Sequence, residues 1–310
     1  MKKQKFYYLV KWRIHQLFGI ITRKGIKYKS YNGKIIIGNS DANELIKKAI
    51  LKGKPFLAGR FGSTELYALQ CVNDNDNGFD YDPTEALDFL CKNSGFFPMK
   101  RSLLFDFSIE MKTALYQVDL LAVWYLKYEE YMAKTFSNNP DYCLLGALEP
   151  YGRDRPWSEA LEGKKVLVVH PFAETIESQY RKRELLFSNP KVLPEFQLIT
   201  YKAVQTIAGN KDERFNTWFD ALDFMSDEIS RIDFDVAIVG CGAYGLPLSA
   251  RIKKMGKVAI HMGGATQLLF GIKGRRWEKI ESVKKLFNEH WVRPSERPDN
   301  YDSIEDGCYW

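Results

Sequence analysis

Short apolar runs recur along this chain, and each is separated from the next by a stretch of helical character. Such runs, five to seven residues long, are buried on both faces when they form strands, which is typical of a parallel sheet. The sequence therefore predicts an α/β fold of the Rossmann-like type, with a mostly parallel sheet covered by helices on both faces. The seven candidate strands are residues 55–59, 120–125, 142–148, 165–170, 196–201, 235–240 and 257–262.

One stretch between candidate strands has a clear helical pattern. From Phe215 to Ile232, apolar side chains recur every three or four positions, which is the spacing of one helix face. Asn210, with Glu213 three residues later, is the candidate N-terminal cap of this helix.

The segment of residues 148–165 is rich in proline, glycine and charge, and it separates two halves of different character. It is either a domain linker or a long loop on one continuous sheet. We favour two lobes. Residues 1–35 are then a basic amphipathic segment, residues 36–150 an N-terminal α/β lobe, and residues 151–310 a Rossmann-like C-terminal lobe.

The positive charge of the chain is concentrated at its beginning. Residues 1–40 contain ten Lys and Arg and no Asp or Glu, although the formal net charge of the whole chain is only +6. Basic residues interrupt the apolar runs, so this segment is not predicted to span a membrane. It suits either a helix on an anionic membrane surface or a first helix packed on the domain. An anionic membrane surface is thus a candidate partner of residues 1–29, whereas nucleic acid is not expected.

The five cysteines are scattered, and no Cys-x-x-Cys pair is present. Neither a disulfide framework nor a zinc site is expected from this spacing. The sequence therefore indicates a reducing, cytoplasmic setting, at the inner face of the plasma membrane if the basic segment binds lipid.

A glycine-rich turn follows the candidate strand at 235–240. Gly240, Gly242 and Gly245 have the spacing of a dinucleotide fingerprint, in which glycines let the backbone approach a phosphate at a helix N-terminus. No Asp or Glu occurs between Val236 and Trp277, whereas seven Lys and Arg do. The carboxylate that usually binds a ribose is therefore missing, and phosphate binding is favoured over NAD. The alternative is that these glycines serve only tight helix–sheet packing.

Two further strand ends carry candidate site residues, because ligands bind at the carboxyl ends of strands in open α/β sheets. His261 ends one strand and precedes Gly263 and Gly264; it is a candidate ligand for ribose or phosphate, or a structural residue. His170 ends another strand, and Glu174 follows it at the start of a predicted helix. A carboxylate there is a candidate general base.

The stretch Arg60-Phe61-Gly62-Ser63-Thr64-Glu65 also follows a predicted strand. It resembles the Arg-Phe-Gly-Asp-x-Glu segment of the GT-D-fold glycosyltransferases, which are bacterial enzymes of polysaccharide and glycoprotein glycan assembly. The resemblance extends to a His-Pro-Phe turn after a central strand and to the glycine-rich unit near the C-terminus. It implies transfer of a sugar from a nucleotide diphosphate donor, with the Asp-x-Glu pair serving the donor and a divalent metal.

This chain departs from that motif at Ser63, which stands where the family has Asp. A hydroxyl is a much weaker ligand than a carboxylate for a cation such as Mn²⁺ or Mg²⁺. Three interpretations follow: Glu65 and the donor phosphates hold the metal, an acid such as Asp41 or Glu149 substitutes, or basic groups replace the metal.

The sequence thus predicts a glycosyltransferase that moves a sugar from a nucleotide-sugar donor to a glycan or lipid-linked acceptor in bacterial surface polysaccharide assembly. Arg60, Gly62 and Ser63 are expected to contact the donor. The alternatives are an NADP- or S-adenosylmethionine-dependent enzyme that uses the glycine-rich turn, and a non-catalytic, membrane-peripheral relative of the glycosyltransferases. The candidate catalytic bases are Glu65, Glu149, Asp154 and Glu174.

Overall fold

The computed structural model of this chain describes residues 2–22, 30–76, 83–304 and 307–310. Ser30–Tyr31 (β1) and Lys34–Ile35 (β2) form a small antiparallel hairpin. The strands of the large sheet are Phe56–Arg60 (β3), Leu120–Val123 (β4), Asp141–Leu144 (β5), Lys165–His170 (β6), Gln197–Lys202 (β7), Val236–Val239 (β8) and Val258–His261 (β9).

The helices lie mostly between these strands along the chain. Within the described residues the α-helices are Lys2–Thr22 (α1), Asn39–Lys52 (α2), Ser63–Asp76 (α3), Pro83–Ser94 (α4), Ser102–Tyr116 (α5), Glu129–Phe136 (α6), Ala173–Tyr180 (α7), Trp218–Ser230 (α8), Gly245–Lys254 (α9), Thr266–Leu269 (α10), Arg275–Glu278 (α11) and Glu281–Lys284 (α12).

The large sheet has the strand order β5-β4-β3-β9-β8-β6-β7, and every neighbouring pair is parallel. Each of the seven apolar runs predicted from the sequence forms one of these strands, with ends that differ by a few residues. The predicted Rossmann-like α/β class is therefore confirmed.

Both faces of the sheet are buried, because alternate residues of each strand point to opposite sides. In β6, Leu167 and Val169 pack into one core, which includes residues of α3, α4, α5, α6, α8 and α9. Val166 and Val168 pack into the other, which includes residues of α2, α7, α10, α11 and α12. Burial on both faces is why the strands read as continuous apolar runs.

The order of the strands creates a crevice at one edge of the sheet. From β6 the chain moves outward to β7, whereas from β8 it moves the other way to β9. Adjacent strands whose connections diverge in this way leave a gap at their carboxyl ends, where open α/β sheets bind ligands. His170 ends β6 and Gly240 follows β8, so both lie at this gap.

The predicted start of the helix that contains the 215–232 stripe was wrong. α8 begins at Trp218, and its cap is Thr217, whose hydroxyl accepts a hydrogen bond from the backbone N–H of Asp220. The Asp220 carboxylate in turn accepts from the backbone N–H of Thr217 at 2.8 Å. Asn210 instead donates to the carbonyls of Ile207 and Asp299. The reciprocal Thr217–Asp220 pair satisfies two free backbone N–H groups where the helix actually begins, whereas Asn210 lies in the loop before it.

Strands from both predicted lobes lie in one sheet, since β3 pairs with β9. The 148–165 segment connects β5 to β6, and its Trp157 is wholly buried with its indole N–H donating to the carbonyl of Leu148 at 3.1 Å. The division of the chain at residue 150 stays a prediction.

Both ends of the chain pack on the body of the protein. α1 packs on α6, where the Lys11 ammonium lies 2.5 Å from the carboxylate of Glu130. The predicted basic helix is thus confirmed for Lys2–Thr22. Residues 1 and 23–29 lie outside the described residues, and the expected contact of this segment with a membrane stays a prediction. At the C-terminus Trp310 is buried. No helix of the described ranges has the length and apolar character needed to cross a membrane, and none of the five cysteines, which all lie in those ranges, forms a disulfide.

The capping pair of α8 gives a test of the fold. Thr217→Ala removes the hydroxyl that accepts from Asp220, so we expect the free energy of unfolding to fall by about 1 kcal/mol. Urea denaturation monitored by circular dichroism measures the loss. Thr113→Ala, on the exposed side of α5, is the control and should not destabilise the protein. Equal effects of the two substitutions would argue against the cap.

Candidate functional site

A cavity of about 470 Å³ lies at the carboxyl ends of the parallel strands. Residues at or after the carboxyl end of all seven strands of the large sheet line it. The N-terminal ends of three helices also reach its wall, through Ser63 of α3, Phe172 before α7 and Tyr244 before α9. Helix N-termini present free N–H groups and a partial positive charge, so their convergence favours an anionic ligand.

Arg60 brings a full positive charge to this cavity. Its guanidinium lies over the ring of Trp124, 5.4 Å from the ring centroid, and its Nη1 donates to the carbonyl of Phe61 at 2.9 Å. The indole N–H of Trp124 donates to the same carbonyl at 3.1 Å. A Cβ on Gly263 would overlap the guanidinium, and Gly263 has a positive φ of 61°. Arg60 is thus held between an aromatic ring and a glycine that no other residue replaces without strain.

Trp124 is itself fixed by a wholly buried carboxylate. Glu129 accepts hydrogen bonds from the hydroxyl of Tyr31 at 3.0 Å and from the backbone N–H groups of residues 124, 125 and 126. Burial raises the pKa of Glu129 to about 7, although these hydrogen bonds oppose the rise. Glu129 orders the turn after β4 and so acts on Arg60 through Trp124.

Glu65 lies in the first turn of α3 and is buried. Its carboxylate occupies the space in which a Cβ of residue 62 would lie, so the close approach requires Gly62. A carboxylate in a first helical turn also interacts favourably with the helix dipole. Gly62, Ser63 and Glu65 all line the cavity, so the structure brings these three predicted site residues together.

Glu149 is the second carboxylate of the cavity wall. Burial raises its pKa, while the positive charges of Arg153 and Arg60 oppose the rise. The guanidinium of Arg153 is held by the carbonyls of Gly146 and Glu149, at 2.6 and 3.1 Å. A carboxylate with a raised pKa is a better proton acceptor than an ordinary one, so Glu149 stays a candidate base at the cavity wall.

His170 and His261 line the cavity as buried, neutral rings. Burial lowers the pKa of His170 to about 3, opposed by the negative charge of Glu296. Burial, together with the positive charge of Arg60, lowers the pKa of His261 to about 3. The Nδ1 atom of His170 accepts a hydrogen bond from the Phe172 backbone N–H at 3.0 Å, so the neutral ring carries its proton on Nε2. Neither ring adds positive charge at neutral pH.

The glycine-rich run serves packing and lines the cavity at the same time. A Cβ on Gly240 would lie 2.5 Å from the carbonyl oxygen of Gly263, and one on Gly242 would lie 2.7 Å from that of Ser94. Both glycines nevertheless line the cavity, as do Gly263 and Gly264. Gly245 does not line the cavity. The imidazole of His261 occupies the space in which a Cβ on Gly245 would lie. Tight packing is therefore shown for Gly240, Gly242 and Gly245, and phosphate binding by this run stays a prediction.

Three acids considered from the sequence do not line the cavity. Glu174 is exposed on α7 and forms an ion pair with Lys202 at 2.9 Å. Asp154 and Asp41 are also exposed. The helical position of Glu174 after β6 turns its side chain away from the strand ends, so only Glu65 and Glu149 remain among the candidate bases at the cavity.

Several residues of the cavity wall were missed. Trp124 follows β4 directly, so the rule that ligands bind at strand ends would have found it. Arg276 and Tyr309 come from the C-terminal region, where the Arg276 guanidinium donates to the Tyr309 hydroxyl at 3.0 Å. No local sequence pattern predicts these two residues, because they reach the strand ends only when the C-terminal region folds onto the sheet.

A dedicated metal site is not formed by the described residues. No three His, Cys, Asp or Glu side chains among them are grouped closely enough to hold an ion. Ser63 offers a hydroxyl where the resembling family has a carboxylate, and Glu65 lies against Gly62. Cations such as Mg²⁺ are held by carboxylates together with substrate phosphates, and here Glu65 is the sole carboxylate of that segment, residues 60–65.

The fold and the cavity define this chain as a Rossmann-like α/β protein with a cavity at its strand ends. No protein-family model matches the sequence, and no curated protein matches it. A solved structure of domain of unknown function 1792, in selenomethionine form, is similar over 87% of this chain and 93% of that chain, with 12% identity and a TM-score of 0.46. A second, described as a highly conserved domain of unknown function 1792 with a distinct glycosyltransferase fold, shows the same coverage and identity with a TM-score of 0.44.

The two buried histidines predict a pH dependence of stability. Their pKa values in the folded protein, about 3, lie below the value of about 6.5 in an unfolded chain. Between these values the unfolded chain binds more protons, so the stability that the two histidines contribute falls as pH falls. Glu129 opposes this trend, because its pKa is raised in the folded protein. Each histidine contributes a slope of roughly 1.4 kcal/mol per pH unit. Urea denaturation at pH 6 and at pH 5 measures the slope. His170→Gln should remove the contribution of one histidine, roughly 1.4 kcal/mol per pH unit. An unchanged slope in that variant would contradict the assignment.

Proposed function

We propose that this protein is a glycosyltransferase that uses a nucleoside diphosphate sugar as donor. The observation that carries the proposal is the convergence of Arg60, three helix N-termini and two carboxylates on one cavity. A diphosphate needs positive charge and backbone N–H donors, and a transferred sugar needs hydroxyl-binding carboxylates. The motif of residues 60–65 supports the same class of reaction through its resemblance to the GT-D-fold glycosyltransferases.

The donor diphosphate is assigned to the side of the cavity formed by Arg60, Gly240 and Gly263. Departure of a nucleoside diphosphate builds negative charge on its leaving oxygen, and preorganised positive groups stabilise that charge in the transition state. Arg60 suits this role because its guanidinium is held by Trp124 and by the Phe61 carbonyl. The neutral His170 supplies a hydrogen-bond donor at Nε2 rather than a charge.

The acceptor hydroxyl must lose a proton as the new glycosidic bond forms. Glu149 is the favoured base, since burial raises its pKa, and Glu65 is assigned to sugar hydroxyls or to a metal. A divalent cation such as Mn²⁺ or Mg²⁺ would be held by Glu65 together with donor phosphates, and it would supply charge neutralisation. The acceptor is proposed to be a glycan or a lipid-linked saccharide of bacterial surface polysaccharide assembly.

Ligand binding tests the class of the reaction. In a thermal-shift panel with UDP-, GDP-, CDP- and dTDP-sugars, each with and without Mn²⁺, one donor should raise the melting temperature. A ligand at a hundred times its dissociation constant stabilises by about 2.7 kcal/mol. NADPH and S-adenosylmethionine belong in the same panel, because selective stabilisation by either would favour the alternative enzyme classes. Binding of a sugar nucleotide without any turnover would favour a non-catalytic relative.

The carboxylate of Glu65 gives the sharpest test of the site. Glu65→Gln keeps the shape of a buried side chain but removes its charge, so we expect sugar transfer, or donor hydrolysis, to fall by about two orders of magnitude or more. Release of nucleoside diphosphate from the donor identified in the panel measures the loss.

Glu174→Gln is the matched control, because it makes the same chemical change on the exposed face of α7, outside the cavity. It should keep near wild-type turnover. Near-normal activity of Glu65→Gln, or equal losses in both variants, would remove Glu65 from the mechanism.

A further inference from the structure

We propose that α1 docks the protein on an anionic lipid surface through an exposed apolar stripe. Apolar side chains at positions 6, 10, 14 and 17 recur every three or four residues, so they lie along one face of the helix. All four are exposed, Phe6 by 67% and Leu17 by 57%. Tyr7, exposed by 60%, borders the same stripe.

This stripe is separate from the face of α1 that packs on the protein. The packed face carries Tyr8, whose hydroxyl donates to Asn32 at 3.1 Å, and Trp12, whose indole N–H donates to the carbonyl of Tyr125 at 3.1 Å. Lys11, bound to Glu130, lies on the same side. The two expectations for the basic segment are therefore compatible: one face of the helix packs on the domain, and another is left apolar and open.

The charge around the stripe favours an anionic lipid surface as its partner. Residues 1–40 contain ten basic residues and no acidic ones. Among them Lys5 is buried, Lys11 is paired with Glu130 and Lys34 with Asp141, whereas Arg13 is exposed beside the stripe. An apolar face next to exposed basic charge is typical of helices that lie in the plane of a membrane interface. Each Lys or Arg near an anionic surface contributes about 1 kcal/mol of binding. A second copy of α1 is a poor partner by comparison, because pairing two such helices would bring like charges together.

α1 also contacts the turn after β4, which reaches the cavity, and this contact holds whether or not the proposed function is right. Trp12 contacts the carbonyl of Tyr125, and Trp124, its neighbour in the chain, lines the cavity. The turn after β4 thus contacts α1 through Tyr125 and the cavity through Trp124.

Vesicle flotation of the full chain tests the proposal directly. We expect binding to vesicles that contain phosphatidylcholine with about one third phosphatidylglycerol, and much weaker binding to phosphatidylcholine alone. Raising the salt from about 0.1 M to 1 M shortens the Debye length from about 10 Å to 3 Å and should release most of the protein. Arg13→Gln should weaken binding about fivefold, which corresponds to about 1 kcal/mol.

The apolar part of the stripe is tested by the double variant Phe6→Ala with Leu17→Ala. Loss of two large apolar contacts should reduce binding at least about tenfold, while the melting temperature stays near that of the wild type because both side chains are exposed. The matched control is Phe105→Ala with Ile109→Ala, which removes two large apolar side chains with exposed fractions of 53% and 48% from a different helix, α5. This control should bind like the wild type.

Three results would overturn the proposal. The first is failure of the wild type to float with anionic vesicles, and the second is an equal loss of binding in the α5 control. The third is self-association in light scattering without lipid that the Phe6 and Leu17 substitutions abolish, because a second copy would then cover the stripe. None of these results bears on sugar transfer, which the Glu65 variant measures separately.

Discussion

The parallel pairing of β3 with β9 is the contact on which the site depends. It joins an early strand to the last one, with Leu57 opposite Ala259 and Ala58 opposite Ile260. This register carries Arg60 to the same edge of the sheet as His261 and Gly263. A slip of one residue would turn every side chain of β3 to the other face. Because both faces are packed against helices, such a slip is disfavoured, and the register keeps Arg60 at the cavity.

Electrostatics in the cavity follow from unequal burial of its ionisable groups. The two histidines are so deeply buried that they stay neutral, and Glu149 has a raised pKa. The guanidinium of Arg60 brings positive charge to the cavity and rests on the face of Trp124. The cavity therefore contains the positive charge of Arg60, two neutral histidines and, in Glu149, a carboxylate whose raised pKa suits it to accept a proton.

The strands and the cavity residues at their carboxyl ends could be predicted, because short stretches of sequence indicate both. Buried parallel strands must be continuously apolar, and residues just after them, such as Arg60, His170 and Gly240, share one edge by topology alone. The cap of α8 was placed too early because the apolar stripe continues beyond the helix at both ends, and Phe215 and Ile232 pack against the core without being helical. Periodicity reports burial, whereas the helix end depends on the hydrogen bonds of Thr217.

By itself, the sequence determined the fold class, the seven strands of the large sheet, the basic first helix and the segment that carries Arg60 and Glu65. Each follows from apolar periodicity, charge or strand-end position, which short stretches of chain express fully. The tertiary structure alone decided that Glu149 reaches the cavity and Glu174 does not, that Arg276 and Tyr309 join the wall, and that α1 keeps an open apolar face. The physical reason is that these outcomes depend on which surfaces remain uncovered after distant segments pack, and no single stretch contains that information.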